Sequence, residues 1–158
     1  MNEAGMRENL GDFSSIVCLK ALVMGLENIL GEKGAQANLV LAGRHRGQTI
    51  VKELGLSNTD KPMTEWLAAV KEAIGETGTR LCNIAKAEED GNVLRIYLNE
   101  TVCSAGEEQG STRRLTFTLG AIQGAVEEAT GKKFIAKQTG SVLRGQDYDI
   151  IDLQERLM

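Results

Sequence analysis

Residues 117–153 read FTLGAIQGAVEEATGKKFIAKQTGSVLRGQDYDIIDL and contain two kinds of pattern. Apolar side chains recur at helical spacing over residues 115–130, and Gly131 follows where a left-handed residue commonly ends a helix. Residues 133–142 and 147–153 then flank the turn Leu143-Arg144-Gly145-Gln146, which indicates two antiparallel strands. The stretch therefore predicts one helix and a closing hairpin.

A second hairpin precedes this helix. Residues 80–87 and 92–101 alternate in polarity as strands do, and the turn Glu89-Asp90-Gly91-Asn92 joins them with residues that tolerate positive φ. On its second strand, one face carries the apolar side chains and is expected to face the core: Leu94, Ile96 and Leu98. Residues 104–112 are rich in Gly, Glu and Ser and predict an exposed loop.

Helical periodicity occupies the N-terminal half. It predicts helices over residues 16–30, ending at Gly31, over residues 35–54, ending at Gly55, and from residue 62 or 64 to residue 74. The fold class is therefore α+β, with N-terminal helices packed on a roughly four-stranded antiparallel sheet whose two hairpins flank a helix. We expect residues 1–12 to be flexible and residues 13–158 to form a single domain.

Composition excludes several classes of function. A net charge of −4 without a clustered basic face argues against nucleic-acid binding. Neither a signal peptide nor an apolar stretch of about 20 residues is present, so we expect a cytoplasmic protein without a membrane span. The three cysteines, Cys18, Cys82 and Cys103, are widely separated and predict neither a disulfide framework nor a metal site.

Catalytic signals are weak. His45 is the only histidine and lies in no recognised motif, and phosphate-cradle, hydrolase and dinucleotide motifs are lacking. The carboxylate pairs are adjacent in sequence, so their side chains diverge in regular structure and are predicted to be solvated: Glu88-Glu89, Glu107-Glu108 and Glu127-Glu128. No catalytic residue and no cofactor are therefore predicted.

Two glycine pairs stand four residues apart in predicted helices. Gly43 and Gly47 share one helix face, and Gly120 and Gly124 share another, so another backbone can approach each face closely. We predict that these four glycines serve tight helix packing or dimer contact.

Three segments resemble a known family. Residues 117–153, with TGKK after the helix and RGQDY at the turn, resemble the end of vinyl-reductase domains. The segments EEDGNVLRIYLNETVCSAGEE (88–108) and LAGRHRGQTIVKELG (41–55) resemble the family's hairpin and small-residue helix. The pattern is also similar to the small subunits of TRAPP tethering complexes. The resemblance implies helix-mediated dimers around a hydrophobic pocket, as in hydrocarbon-binding members.

The chain departs from the family at its cysteines. Leu115, Ser141 and Asp149 stand where vinyl-reductase domains commonly carry cysteine, and Asp60 lies near the position of the acylated cysteine of TRAPP-type subunits. The metal, thiol and lipidation chemistry of those cysteines is therefore not expected here.

Three functions remain open. The first is a non-catalytic dimeric sensor or carrier of a small hydrophobic ligand, such as a hydrocarbon, lipid or tetrapyrrole. Its candidate ligand-binding residues are Arg44, His45, Met63, Trp66 and Cys103. The second is a protein–protein assembly module whose pocket is filled by its own side chains. The third is an enzyme that modifies tetrapyrroles.

Overall fold

The computed structural model describes Arg7 and residues 9–156. Three helices are present in this part of the chain: α1 (Ile16–Glu53), α2 (Met63–Ile74) and α3 (Phe117–Thr130). Strands β1 (Asn83–Asp90) and β2 (Val93–Asn99) form one hairpin, and β3 (Phe134–Gly140) and β4 (Asp149–Glu155) form the other. The predicted α+β fold with two hairpins flanking a helix is confirmed.

Most of the segment predicted to be flexible, residues 1–12, lies outside the described residues, which begin with Arg7 and continue from residue 9. Among the described residues, the Arg7 backbone N–H donates to the Asp12 carboxylate over 3.1 Å. No helix in the described part of the chain is both long enough and apolar enough to cross a bilayer.

Helix α1 contains the first two predicted helices. Gly31 has φ 72° and ψ 165°, which interrupts the helical backbone between a first half (residues 16–30) and a second half (residues 32–53). Such a conformation favours glycine because a Cβ would be strained at positive φ. The break lets the two halves follow different directions over the core, which a continuous helix could not do.

The sheet has the strand order β1-β2-β4-β3, and every neighbouring pair is antiparallel. In the two central strands, Ile96 pairs with Ile151 and Leu94 with Leu153, and all four side chains are buried under the helices. The predicted apolar face of β2 is therefore the core face. The C-terminal hairpin closes through a short 3₁₀ turn, Val142–Arg144.

The first hairpin is shifted from its predicted bounds. β1 begins at Asn83 and not at residue 80, because Arg80 has φ 56° and belongs to the turn that follows α2. β1 continues to Asp90, which pairs with Val93 and leaves Gly91 and Asn92 as a two-residue turn. The predicted turn was too long because its acidic residues extend the strand at an exposed edge.

Helices α1 and α3 pack backbone to backbone at the four glycines. A Cβ built on any of these residues would lie 2.8 Å from a backbone atom of the opposite helix: Gly43 from Phe117, Gly47 from Ala125, and both Gly120 and Gly124 from Arg44. Real side chains essentially never approach backbone so closely. The contact is made within one chain, so these glycine faces are not available to a dimer.

We expect Gly120→Ala to lower the free energy of unfolding by about 2 kcal/mol or more, because its methyl group would force two helix backbones apart. Gly34→Ala is the matched control: its Cβ would meet Leu30 at an ordinary 3.5 Å, so helix propensity should stabilise the protein by up to about 1 kcal/mol. Urea unfolding of both variants measures the difference. Equal stability of the two variants would contradict the packing described.

Candidate functional site

A cleft opens where the start of α2, the β1–β2 turn and the end of α3 meet. Its volume is about 290 Å³. Trp66 and Met63 line it from α2, and the Trp66 side chain is only 4% exposed. Val126 of α3 and Phe134 of β3 add two further buried apolar walls. We call this the Trp66 cleft.

Amphipathic patterning places Trp66 at this cleft. Trp66, Val70 and Ile74 are the buried residues of α2 and recur every four residues, so the helix lays one face on the sheet. Pro62 immediately precedes the helix with φ −60°, a conformation that suits a helix start. The first turn therefore projects Met63 toward the cleft mouth while Trp66 reaches inward.

Charged side chains surround the cleft mouth. Lys132 pairs with Glu155 over 2.9 Å, and Lys61 pairs with Glu65 one helical turn away. Exposed pairs of this type contribute little to stability, roughly 0–1 kcal/mol, so a ligand group can replace either carboxylate at small cost. The arrangement combines an apolar floor with a rim that carries both lysines and carboxylates, among them Glu89 and Glu155.

Arg44, one of the predicted ligand residues, forms an ion pair between helices. Its Nε donates to Glu127 Oε2 over 2.7 Å, beside the α1–α3 glycine contact. Glu127 is 3% exposed and also accepts the Phe134 backbone N–H over 3.0 Å. One carboxylate thus joins α1, α3 and β3.

The prediction that the Glu127-Glu128 pair is solvated is therefore wrong for Glu127. Adjacent side chains do diverge: Glu128 points outward to within 3.9 Å of Lys52, but its neighbour turns into the protein. Glu107 is only partly exposed and pairs with two cations, at 2.6 Å from Lys20 and 3.2 Å from Arg113. The Lys20 hydrogen bond lowers the pKa of the Glu107 carboxyl.

His45 and Cys103 lie apart from the Trp66 cleft. His45 is exposed on α1, next to the inward-facing Arg44. Cys103 is buried, and its sulfur lies 3.7 Å from the hydroxyls of Thr116 and Thr118. Of the five predicted ligand-binding residues, the structure brings together only Met63 and Trp66.

A buried polar cluster surrounds Asp149 at the opposite end of β4. Asp149 Oδ2 accepts the Thr101 hydroxyl over 2.6 Å and the Ser104 hydroxyl over 2.8 Å. Its other oxygen accepts the Val142 backbone N–H over 3.1 Å. These bonds fix the C-terminal hairpin to the segment that follows β2. Sequence reasoning missed this role because no local pattern indicates burial of Asp149.

Leu115, Ser141 and Asp149, the positions that the resemblance matches to the cysteines of vinyl-reductase domains, do not fit a metal. Leu115 has no donor atom, the Ser141 hydroxyl accepts the Leu143 N–H, and Asp149 is already hydrogen-bonded through both oxygens. Nor do the described residues contain any group of three His, Cys, Asp or Glu side chains placed to hold a metal ion. Hydrogen bonds hold this region together.

Comparison with known proteins places this architecture in the fold class of vinyl-reductase-like sensory domains and TRAPP subunits. No family model matches the chain, and no curated protein sequence matches it. Solved structures do match. The chain is similar to the phenol-responsive sensory domain of the transcription activator PoxR with phenol, with a TM-score of 0.67 at 13% identity over 91% of this chain and 76% of that one.

A second similar structure is trafficking protein particle complex subunit 3 from Naegleria fowleri, covalently bound to palmitic acid. Its TM-score is 0.52 at 16% identity, over 90% of this chain and 98% of that one. At these identities the likeness shows the fold alone. The fold resemblance predicted from the sequence is confirmed.

We expect Asp149→Ala to destabilise the protein by about 3 kcal/mol, because two buried hydroxyls and a backbone N–H would lose their acceptor. Asp147→Ala is the matched control: Asp147 is exposed in the adjacent turn, and its loss should change stability by less than about 0.5 kcal/mol. Chemical unfolding measures both. An Asp149→Ala variant as stable as the control would show that the cluster contributes nothing.

Burial raises the pKa of the Cys82 thiol to about 12, with Cys103 and Asp149 adding to the effect. The unfolded chain loses this proton near the ordinary value of 9.0, so the folded state binds more protons above that pH and stability should fall as pH rises. Between pH 9 and 11, the free energy of unfolding should fall more steeply than that of Cys82→Ala, by up to about 1.4 kcal/mol per pH unit. If the free energies of unfolding of the two proteins changed equally with pH across this range, burial of the thiol would be contradicted.

Proposed function

We propose that this chain is a non-catalytic binding module, a dimeric sensor or carrier that holds a small hydrophobic molecule in the Trp66 cleft. The observation that supports the proposal is the cleft itself, in which Met63, Trp66, Val126 and Phe134 form apolar walls beneath a charged rim. Ligand pockets combine apolar walls with polar groups that fix orientation, and the lining of the cleft contains both kinds of residue. We also propose that residues 13–158 act as one domain, in the cytoplasm.

The size of the cleft favours a compact ligand within the classes expected from the sequence. Its volume of about 290 Å³ lies just below the range for small-molecule sites, roughly 300–1,000 Å³. A small aromatic molecule or the end of an acyl chain suits this volume better than a tetrapyrrole. Lys61 and Lys132 at the rim would favour a ligand that ends in a hydroxyl or carboxylate.

The structural neighbours support the same class of function. PoxR's sensory domain responds to phenol, and the Naegleria fowleri subunit carries palmitic acid. Both bound molecules join an apolar body to one polar group. Neither neighbour is an enzyme by its description, and this favours binding over tetrapyrrole modification.

An assembly module is the second candidate. The core between the sheet and the helices is filled by the chain's own side chains, since Ile96, Leu98, Ile151 and Leu153 are fully buried. The likeness to a trafficking-complex subunit is compatible with this function. Under this alternative the Trp66 cleft would remain empty in the purified protein.

Mass spectrometry of the purified protein, first under native and then under denaturing conditions, should reveal a releasable small molecule. Because Trp66 is the only tryptophan, its fluorescence should also change on titration with phenol, palmitate or protoporphyrin, and the change should identify the ligand class.

Met63→Ala should weaken binding about tenfold through lost apolar contact. Met24→Ala on α1, outside the cleft, is the matched control.

Binding that is equal in the two methionine variants would place the ligand elsewhere. A protein that carries no small molecule and binds none of the three probes would favour the assembly module.

A further inference from the structure

A second opening lies at the opposite end of β3 from the Trp66 cleft. It forms where the connection from β3 to β4 meets residues 112–114, the segment before α3, and its volume is about 260 Å³. Phe134 lines the Trp66 cleft and Gly140 lines this opening, so seven residues of extended strand, about 20 Å, separate the two. We call it the arginine groove, because Arg114 and Arg144 are its charged lining residues.

The charge of the arginine groove is of one sign. No aspartate or glutamate lines it, although the whole chain has a net charge of −4. In the part of the chain that the structure describes, neither Arg114 nor Arg144 has a carboxylate within ion-pair distance. Arg113, by contrast, pairs with Glu27 and Glu107. The groove therefore holds two positive charges that the chain's own acids do not neutralise, whereas the lysines of the Trp66 cleft have carboxylate partners.

Arg144 is held in position by the chain itself. Its Nη1 donates to the Ser111 carbonyl over 3.1 Å and to the Arg113 carbonyl over 3.2 Å. The Gly110 N–H donates to the Leu143 carbonyl over 2.7 Å and ties the same two segments together. The Nε and Nη2 atoms of Arg144 make no hydrogen bond with a described residue. A guanidinium oriented in this way loses less side-chain entropy on binding than a mobile one would.

The other polar groups around the arginine groove use their acceptor atoms within the chain. Gln138 Oε1 accepts the Leu115 N–H over 2.9 Å, and Gln146 Oε1 accepts the Ser141 N–H over 2.6 Å. The Ser141 hydroxyl accepts the Leu143 N–H over 3.2 Å. The amide nitrogen of Gln146, in contrast, donates to no described residue. The groups left for a ligand are therefore mainly N–H donors, as an anion requires.

The geometry points to the arginine groove as a binding site for the phosphate group of a small phosphorylated molecule. A phosphate monoester carries a charge of about −1.5 to −2 at neutral pH and three acceptor oxygens, which suits two guanidinium groups better than a single carboxylate does. Nε and Nη2 of Arg144 can hold two of these oxygens as a parallel pair. A water molecule occupies about 30 Å³ in the liquid, so a groove of about 260 Å³ has room for the phosphate and the first atoms of the alcohol that it esterifies.

This site does not depend on the proposed function. The arginine groove and the Trp66 cleft share no lining residue, so either can be occupied while the other is empty. Trp66 fluorescence should therefore stay unchanged when a phosphorylated molecule binds in the groove. A failure of hydrophobic ligands to bind would leave the groove's affinity for phosphate as it is.

Calorimetric titration of the full chain with glycerol 3-phosphate, inorganic phosphate and glycerol tests the site. We expect glycerol 3-phosphate to bind most tightly, inorganic phosphate to bind more weakly because it leaves part of the groove empty, and glycerol not to bind. The absence of binding by both phosphate compounds would overturn the inference. Inorganic phosphate that binds as tightly as the ester would exclude a site for a phosphorylated molecule.

Substitution of the two arginines locates the binding. Arg114→Gln should raise the dissociation constant of glycerol 3-phosphate about tenfold, because it removes a charged donor. The Arg114 side chain is exposed and bonds to no described residue, so urea unfolding should show unchanged stability. Arg144→Lys keeps the charge but not the parallel donor pair, and it should also weaken binding.

Arg156→Gln is the matched control. It removes the same charge from an exposed arginine that follows β4 and lines neither opening, so it should leave the dissociation constant unchanged. Equal weakening by Arg114→Gln and Arg156→Gln would show only general attraction between the ligand and positive charge, and would overturn the inference. Full affinity in both Arg114→Gln and Arg144→Lys would exclude the arginine groove as the site.

Discussion

The contact between α1 and α3 is made at the level of the backbone, and the other elements depend on it. Four glycines allow the two helices to approach until no methyl group would fit between them. Beside this contact, Glu127 accepts hydrogen bonds from Arg44 of α1 and from the first residue of β3. The position of the helix pair therefore also sets the position of the C-terminal hairpin.

Two chemically different regions lie at the two ends of β4. β4 begins at Asp149, within the buried polar cluster, and ends at Glu155, on the rim of the Trp66 cleft. Seven residues of extended strand span about 20 Å, so the two regions do not share side chains. This separation explains why Cys103 and Trp66, both predicted ligand residues, lie in different environments. The polar cluster is hydrogen-bonded within the chain, while the Trp66 cleft is the region for which we propose a hydrophobic ligand.

Much of the fold follows from periodicity. Alternating residues in β2 predicted its core face, and helical periodicity predicted α2, on which Trp66, Val70 and Ile74 are the buried residues. Local patterns could not reveal contacts between distant residues. Glu127 was predicted to be solvated because carboxylates adjacent in sequence diverge in regular structure, although its spacing of three from Gly124 places both on the face that meets α1. Asp149 offered no comparable signal, since its hydroxyl partners lie 45 and 48 residues away.

The strand order has a consequence for how the chain completes its fold during synthesis. β4 is an inner strand, bounded by β2 on one side and β3 on the other, yet it is made after both. Until residue 155 has left the ribosome, β2 has no strand paired to the edge that β4 later occupies, and β3 has no partner strand. Pairing of distant segments is slow because closing a long loop costs entropy before any contact is gained. An unpaired edge of β2 is the feature of the incomplete sheet that would invite pairing with another chain.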